Sequence, residues 1–158
     1  MLVYLIRHAK ANKESASGQD FDRELTSRGV EQAAWLGQAL AKHEHKPSVI
    51  LSSPVVRALQ TAQAIEAAVH CRLKVVEKLS TDHDAVQYAL AMEDFALLPC
   101  IAMVAHNPTL EQLAAGLLRG GNDEAPDFRT GQATLIELDV NDSSPARLIE
   151  TLRMDHED

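Results

Sequence analysis

Arginine and histidine side chains occupy three places in the sequence where an apolar run ends or a helix begins. Arg7 and His8 follow the apolar run 2–6 directly, in the segment LIRHAKA. Arg57 lies in the segment ILSSPVVRALQTA, and His106 lies in MVAHNPTLE. A single arginine in a loop is usually solvated, and a single histidine at a strand end usually makes a structural hydrogen bond. If the fold brings all four side chains together, however, they predict a binding site for an anion.

Such a pocket suits a phosphoryl group. A planar guanidinium matches two phosphate oxygens, and a helix N-terminus adds free N–H donors and partial positive charge. One neutral imidazole can attack phosphorus, while a second can hydrogen-bond the oxygens as charge spreads over them. Nearby arginines lower the pKa of a histidine and so keep a nucleophile unprotonated near neutral pH. The residue types therefore indicate phosphoryl transfer.

The order of strands and helices decides whether these residues meet. Apolar runs predict strands, at 2–6, 48–51, 75–76, 101–105 and 133–140. Capping residues and helical spacing predict helices, starting after Thr26, at Ser53 and Pro54, over 84–95, and at Asn107 and Pro108. This alternation predicts a single-domain α/β three-layer sandwich, with a mostly parallel central sheet and helices on both faces. Sites in such sheets form at the carboxyl ends of strands, where His8 and His106 stand. Trp35 and Met103 are predicted to lie in the core.

Composition limits the setting and the partners. The chain has 158 residues, 46% of them hydrophobic and 24% charged, which is typical of one folded domain. A net charge of -8 repels nucleic acid and anionic membranes, so neither is expected as a partner. Cys71 and Cys100 show no C-x-x-C spacing and predict buried free thiols in a reducing compartment. The apolar start MLVYLI is too short for a signal peptide or a membrane span. We therefore expect a cytoplasmic location, and the oligomeric state stays open.

Four segments in order resemble the signatures of a known family. LIRHAKA, LTSRGVEQA, SSPVVRALQTA and VAHNPTLE are similar to the motifs of the histidine phosphatase superfamily, whose fold is phosphoglycerate mutase-like. The likeness is nearest to its small bacterial phosphohistidine phosphatase (SixA-like) branch and extends over residues 2–138. It implies that His8 is the phosphorylated nucleophile. It also implies that Arg7 and Arg57 hold the phosphate and that His106 is the second histidine of the pocket.

Some positions differ from the family pattern or vary within it. Larger members usually have a glutamate after the third strand that protonates the leaving oxygen, whereas this region reads VVEKLSTDHDA. Glu77 and Asp82 are the possible proton donors, and the acid stays unassigned. Arg23, in FDRELTSRG, is expected to approach the pocket although Glu24 replaces the usual proline of the branch. Asn107 fits the H-N-P variant and is expected to cap a helix, with a substrate contact as the alternative.

We therefore expect a histidine phosphatase domain over residues 1–153 and an acidic tail over 154–158. The other histidines lack metal-ligand spacing, and neither H-E-x-x-H nor a glycine-rich nucleotide loop occurs, so no metal and no cofactor are expected. The preferred substrate is phosphohistidine on a protein, because imidazole leaves more readily than an alkoxide. The alternatives are a phosphatase for small phosphomonoesters and a phosphate-binding module with little turnover.

Overall fold

A computed structural model describes residues 1–139, 141 and 144–154. Over these residues the strands and helices alternate as β1 Leu2–Arg7, α1 Ser27–Lys42, β2 Val49–Ser52, α2 Val56–Val69, β3 Arg72–Val75, α3 Ala85–Glu93, β4 Cys100–Ala105, α4 Thr109–Leu118, β5 Ala133–Glu137 and β6 Arg147–Leu152. Short 3-10 turns occur at Asp20–Asp22 and Glu77–Leu79. Val140, the last residue of the strand predicted over 133–140, lies outside the described residues, as does the acidic tail from residue 155 onward.

The described strands form one mixed sheet in the order β3-β2-β4-β1-β5-β6. The pairs β3-β2, β2-β4 and β4-β1 are parallel, whereas β5 is antiparallel to β1 and to β6. The predicted mostly parallel sheet is therefore confirmed. Strand β6 was not predicted from the sequence, because its residues alternate between exposed and half-buried and provide only a weak apolar signal.

Helices cover both faces of the sheet, as predicted. Side chains alternate along a strand, so neighbouring residues of β1 point to opposite faces. Val3 and Leu5 pack into the core that also contains residues of α3 and α4, whereas Tyr4 and Ile6 pack against α1 and α2. All four side chains are fully buried. The strand that precedes Arg7 and His8 is thus held from both sides.

The capping predictions succeed for α1, hold in part for α4 and fail for α2. Thr26 caps α1, because its Oγ1 accepts a hydrogen bond from the Gly29 N–H at 3.0 Å. The predicted start of α4 is one residue early, because Pro108 is its N-cap, but Asn107 Oδ1 still stabilises that end of the helix by accepting from the Glu111 N–H at 3.3 Å. The predicted start of α2 at Ser53 and Pro54 is wrong, because the helix begins at Val56. Ser53 instead closes a turn by accepting from the Val55 N–H at 3.2 Å.

One core prediction is confirmed and one is wrong. Met103 is fully buried in β4. Trp35 is 37% exposed, because the buried stripe of α1 runs through Ala33, Leu36 and Leu40 beside it. Both cysteines are free thiols; Cys100 is buried, but Cys71 is only partly so. None of the helices in the described part of the chain is both long and apolar enough to cross a membrane.

Candidate active site

The carboxyl ends of β1 and β4 bring two histidines together. These strands are parallel neighbours, and their register places Arg7 beside Ala105. The next residue of each strand's chain is a histidine, and the ring centroids of His8 and His106 are 5.4 Å apart. Both rings are buried, with 8% and 4% of their residues' surface exposed. The pair therefore lies at the sheet edge where the sequence analysis expected it.

The surroundings of His8 leave a lone pair on its Nε2 atom. Its Nδ1 is 2.7 Å from the carbonyl oxygen of Ala9, and because a carbonyl only accepts, we assign the ring proton to Nδ1. Nε2 then accepts a hydrogen bond from Arg57 Nε at 3.3 Å. Burial, aided by the positive charges of Arg57, Arg7 and Arg23 and opposed by the hydrogen bond to the Ala9 carbonyl, lowers the pKa of His8 to about 4. Burial is thus a larger cause of the neutral ring than the arginines on which the sequence analysis relied.

Arg57 links His8 to a carboxylate. It lies in the first turn of α2 and is 5% exposed. Its Nη1 donates to the carbonyl oxygen of Asp20 at 2.9 Å, and its Nη2 donates to Asp20 Oδ2 at 3.1 Å. Asp20 Oδ1 also accepts from Arg23 Nη1 at 2.8 Å. The expected approach of Arg23 to the pocket is therefore seen, but Asp20 was missed by the sequence analysis. The i, i+3 spacing of Asp20 and Arg23 was the available signal.

Arg7 is positioned by the long loop between α4 and β5. Its Nη1 donates to the carbonyl oxygen of Phe128 at 2.9 Å. The same carbonyl accepts from Asn107 Nδ2 at 3.3 Å, and that amide nitrogen also donates to Glu111 Oε1 at 2.9 Å. The side chain of Asn107 therefore joins the loop to α4, in agreement with a capping role. Its contact with a substrate stays a prediction.

His106 is buried beside a serine hydroxyl. Its Nε2 is 2.7 Å from Ser53 Oγ, a partner that the sequence analysis had assigned to helix capping instead. Its Nδ1 is buried and has no hydrogen-bond partner among the described residues. Burial, aided by the neighbouring His8 and Arg57, lowers the pKa of His106 to about 3. The ring is therefore neutral at physiological pH.

The two possible proton donors lie together in another cluster. Glu77 and Asp82 are exposed, and their oxygens approach His83 Nε2 at 4.0 and 3.8 Å. Within the described part of the chain, no hydrogen bond or ion pair joins them to His8, Arg57 or His106. The ligand atoms of Glu77, Asp82 and His83 lie within 4.8 Å of one another, a spacing that a metal ion requires. Exposed acidic clusters of this kind are common without a bound ion.

Comparisons with known proteins find sequence similarity over part of the chain. The sequence model of the histidine phosphatase superfamily (branch 1) matches residues 3–82. The mitochondrial serine/threonine-protein phosphatase PGAM5 of Xenopus laevis is 41% identical over 63 residues, which are 40% of this chain but only 22% of that protein.

Solved structures resemble the chain over nearly its whole length. The protein histidine phosphatase SixA, solved with tungstate, superposes with a TM-score of 0.85 at 22% identity and covers 97% of both chains. A proposed phosphohistidine phosphatase SixA from Agrobacterium tumefaciens has a TM-score of 0.81 at 26% identity. That match covers 96% of this chain and 97% of the other. Together these likenesses show the fold, and the family model matches the segment that contains the first three of the four motifs.

Proposed function

The chain belongs to the histidine phosphatase superfamily, and we propose that it hydrolyses protein phosphohistidine through a phosphorylated His8. The observation that carries the proposal is the state of the His8 ring. Its Nδ1 is occupied by the Ala9 carbonyl, while its Nε2 is unprotonated and faces the buried guanidinium of Arg57. A neutral imidazole whose lone pair faces a buried cation is arranged to attack an anionic phosphoryl group.

The reaction proceeds in two balanced steps. First, Arg57 Nε passes its hydrogen bond from His8 Nε2 to a phosphate oxygen, and the lone pair of Nε2 forms a bond to phosphorus while the P–N bond of the substrate breaks. The substrate ring carries a proton on its distal nitrogen, so the electron pair of the broken bond leaves with a neutral imidazole. Water then attacks the phosphorus of phospho-His8, which releases inorganic phosphate, a proton and the original ring. Arg7, Arg57 and His106 hold the oxygens while the charge spreads over them. Removing one such contact should cost about 3 kcal/mol of transition-state stabilisation.

Phosphohistidine is favoured because the described residues place no evident acid beside His8. A phosphate ester expels an alkoxide, whose protonation is worth roughly 10²–10⁴ in rate. The carboxylate that contacts the site, Asp20, is held by two arginines and so is poorly placed to donate a proton. Imidazole is a much weaker base than an alkoxide and leaves without that help. The structurally similar protein SixA, a protein histidine phosphatase, also supports phosphohistidine as the substrate.

The nucleophile is tested by trapping the intermediate. We expect wild-type protein mixed with a phosphohistidine peptide to form an alkali-stable, acid-labile phosphoenzyme, detectable by intact-mass spectrometry. His8→Ala should lose both the phosphoenzyme and turnover, because no other group replaces Nε2. His45→Ala, which changes a half-buried histidine outside the site, is the matched control. Turnover by His8→Ala would falsify the covalent mechanism, and no turnover by wild type would favour the phosphate-binding module.

The substrate class is tested by comparing substrates that differ in their leaving group. We expect a higher kcat/KM for a phosphohistidine peptide than for a phosphoserine peptide or a sugar phosphate, measured at neutral pH with one enzyme preparation. A higher value for either ester would favour the small phosphomonoester alternative and require an acid. Glu77→Gln, Asp82→Asn and Asp84→Asn would then identify it, since the true donor should lower the ester rate by about 10²–10⁴ and spare phosphohistidine.

The setting of the protein remains a prediction. The two free thiols and the net charge of -8 support a cytoplasmic location and a phosphorylated protein or small molecule as partner. We propose that the histidine phosphatase domain extends over residues 1–153.

A further inference from the structure

We infer that Asp20 recognises the leaving group, its carboxylate accepting a hydrogen bond from the distal ring N–H of the phosphohistidine imidazole. Asp20 is then a specificity-determining residue that favours phosphoramidates over phosphate esters. The inference rests on the proposed function and assigns a role to a carboxylate that the two chemical steps above do not use.

The geometry of Arg57 places Asp20 opposite the nucleophile. Nε and Nη2 lie on one edge of the planar guanidinium, and this edge faces His8 Nε2 at 3.3 Å and Asp20 Oδ2 at 3.1 Å. A phosphoryl group bound along that edge has the nucleophile at one end and the carboxylate at the other. Because the attacking and leaving atoms are roughly in line during phosphoryl transfer, the leaving nitrogen lies on the side away from His8. Among the residues that the structure describes, Asp20 has the carboxylate that contacts Arg57 on that side.

Asp20 keeps a partner when phosphate oxygens take its place on Arg57. Its Oδ1 accepts from Arg23 Nη1 at 2.8 Å, and Arg23 is itself anchored because its Nε donates to the carbonyl oxygen of Asn12 at 2.6 Å. The Asp20 side chain is also 59% exposed, so it lies where a histidine on a protein surface can reach it. The carboxylate can therefore move from Arg57 to the leaving group without losing Arg23.

The charge of Asp20 discriminates between leaving groups. Its hydrogen bond with Arg23, aided by the charge of Arg57, holds the pKa of the Asp20 carboxyl below its usual range, so the group is ionised at neutral pH. An ionised carboxylate accepts hydrogen bonds but donates none. It stabilises an imidazole whose distal nitrogen carries a proton, and it repels an alkoxide on which negative charge develops. The same residue thus assists one substrate class and opposes the other.

The test compares two substrates that both leave without an acid. A phosphohistidine peptide releases an imidazole with an N–H donor, whereas p-nitrophenyl phosphate releases a weakly basic phenolate with none. We expect Asp20→Asn to lower the ratio of the two kcat/KM values by about tenfold to a hundredfold, the range of one hydrogen bond to a charged group. Asp22→Asn is the matched control, because Asp22 lies in the same 3-10 turn and accepts from Ser17 Oγ at 2.6 Å. It should leave the ratio unchanged.

The ratio separates this role from the other roles open to Asp20. A partly unfolded variant lowers both values alike, so its ratio does not change. Equal losses in both values would show that Asp20 only supports the site or the phosphate, and equal gains would show that it competes with phosphate for Arg57. Either result overturns the inference while leaving the proposed function intact. A wild-type enzyme that does not prefer phosphohistidine overturns the proposed function as well.

Discussion

At the residue scale, the chemistry of the pocket depends on two histidines that burial keeps neutral. Desolvation is the main reason why the pKa values of His8 and His106 fall to about 4 and about 3. A charged imidazolium at either position would be repelled by the guanidinium groups of Arg57 and Arg7. The same burial that keeps the proposed nucleophile neutral therefore makes the fold sensitive to acid.

We expect the free energy of unfolding to decrease as the pH falls from 6.5 to about 4. The unfolded chain binds a proton at His8 below pH 6.5, whereas the folded protein does so only below about 4, so protons favour the unfolded state across that window. At pH 5 the cost from His8 is about 2 kcal/mol relative to pH 7. Urea unfolding at both pH values should show this loss in wild type and a smaller loss in His8→Asn. Equal losses would mean that His8 is not held neutral in the folded protein.

At the element scale, the start of α1 holds the chain segment that follows His8. The carbonyl oxygen of Lys10 accepts from the Thr26 N–H at 2.9 Å, and the Lys10 N–H donates to Gln32 Oε1 at 2.9 Å. Gly29 lies directly against the same carbonyl, and a Cβ at this position would overlap it. The close approach needs glycine, so α1 supports the Ala9 carbonyl that sets the His8 tautomer.

We expect opposite effects from alanine at two helical glycines. Gly29→Ala forces a Cβ against the Lys10 backbone and should lower the free energy of unfolding by about 1–3 kcal/mol, with a loss of kcat as the segment after His8 shifts. Gly116→Ala is the matched control, because no atom lies within 4 Å of its added Cβ. It should raise stability by about 0.5–1 kcal/mol and leave kcat unchanged. Thermal and urea unfolding with steady-state kinetics measure both effects. A stable, fully active Gly29→Ala would show that the Lys10 backbone can move away from the added Cβ without a loss of stability or activity.

At the scale of the whole molecule, an acidic protein concentrates positive charge at one edge of its sheet. The net charge is -8, yet Arg7, Arg23 and Arg57 all act on the buried His8. The first turn of α2 supplies Arg57, and α4 begins just after His106. These groups can provide the stabilisation of phosphoryl oxygens that a divalent cation provides in other enzymes.

We therefore expect turnover of a phosphohistidine peptide to survive EDTA. The measurement is the initial rate before and after incubation with the chelator, followed by addition of Mg²⁺, Mn²⁺ or Zn²⁺. His83→Asn, which removes one member of the Glu77–Asp82–His83 cluster, should behave like wild type. Loss on chelation with recovery on adding one ion would require a metal, and failure of that ion to rescue His83→Asn would locate it at this cluster.

The sequence by itself determined the alternation of strands and helices. It also determined which four residues, Arg7, His8, Arg57 and His106, come together at the candidate site. Buried strands such as β1 and β4 are continuous apolar runs, and Thr26 caps α1 through contacts three residues away, so short segments contain their own signals. His8 and His106 each follow such a strand, and parallel strands end at a common edge. The order of residues along the chain was therefore enough to predict that the two histidines lie close together.

Only the tertiary structure decided which groups complete the site. Asp20 reaches Arg57 across 37 positions, and Ser53 reaches His106 across 53. Such contacts depend on how elements that are far apart in the sequence pack against each other. No local sequence pattern shows which of these elements will meet. For the same reason the exposure of Trp35 and the pairing of β6 with β5 were not predicted from the sequence. Each depends on which other part of the chain packs against the residue or strand. The neutral state of His8 is also a tertiary property, because its main cause is the depth at which the fold buries the ring.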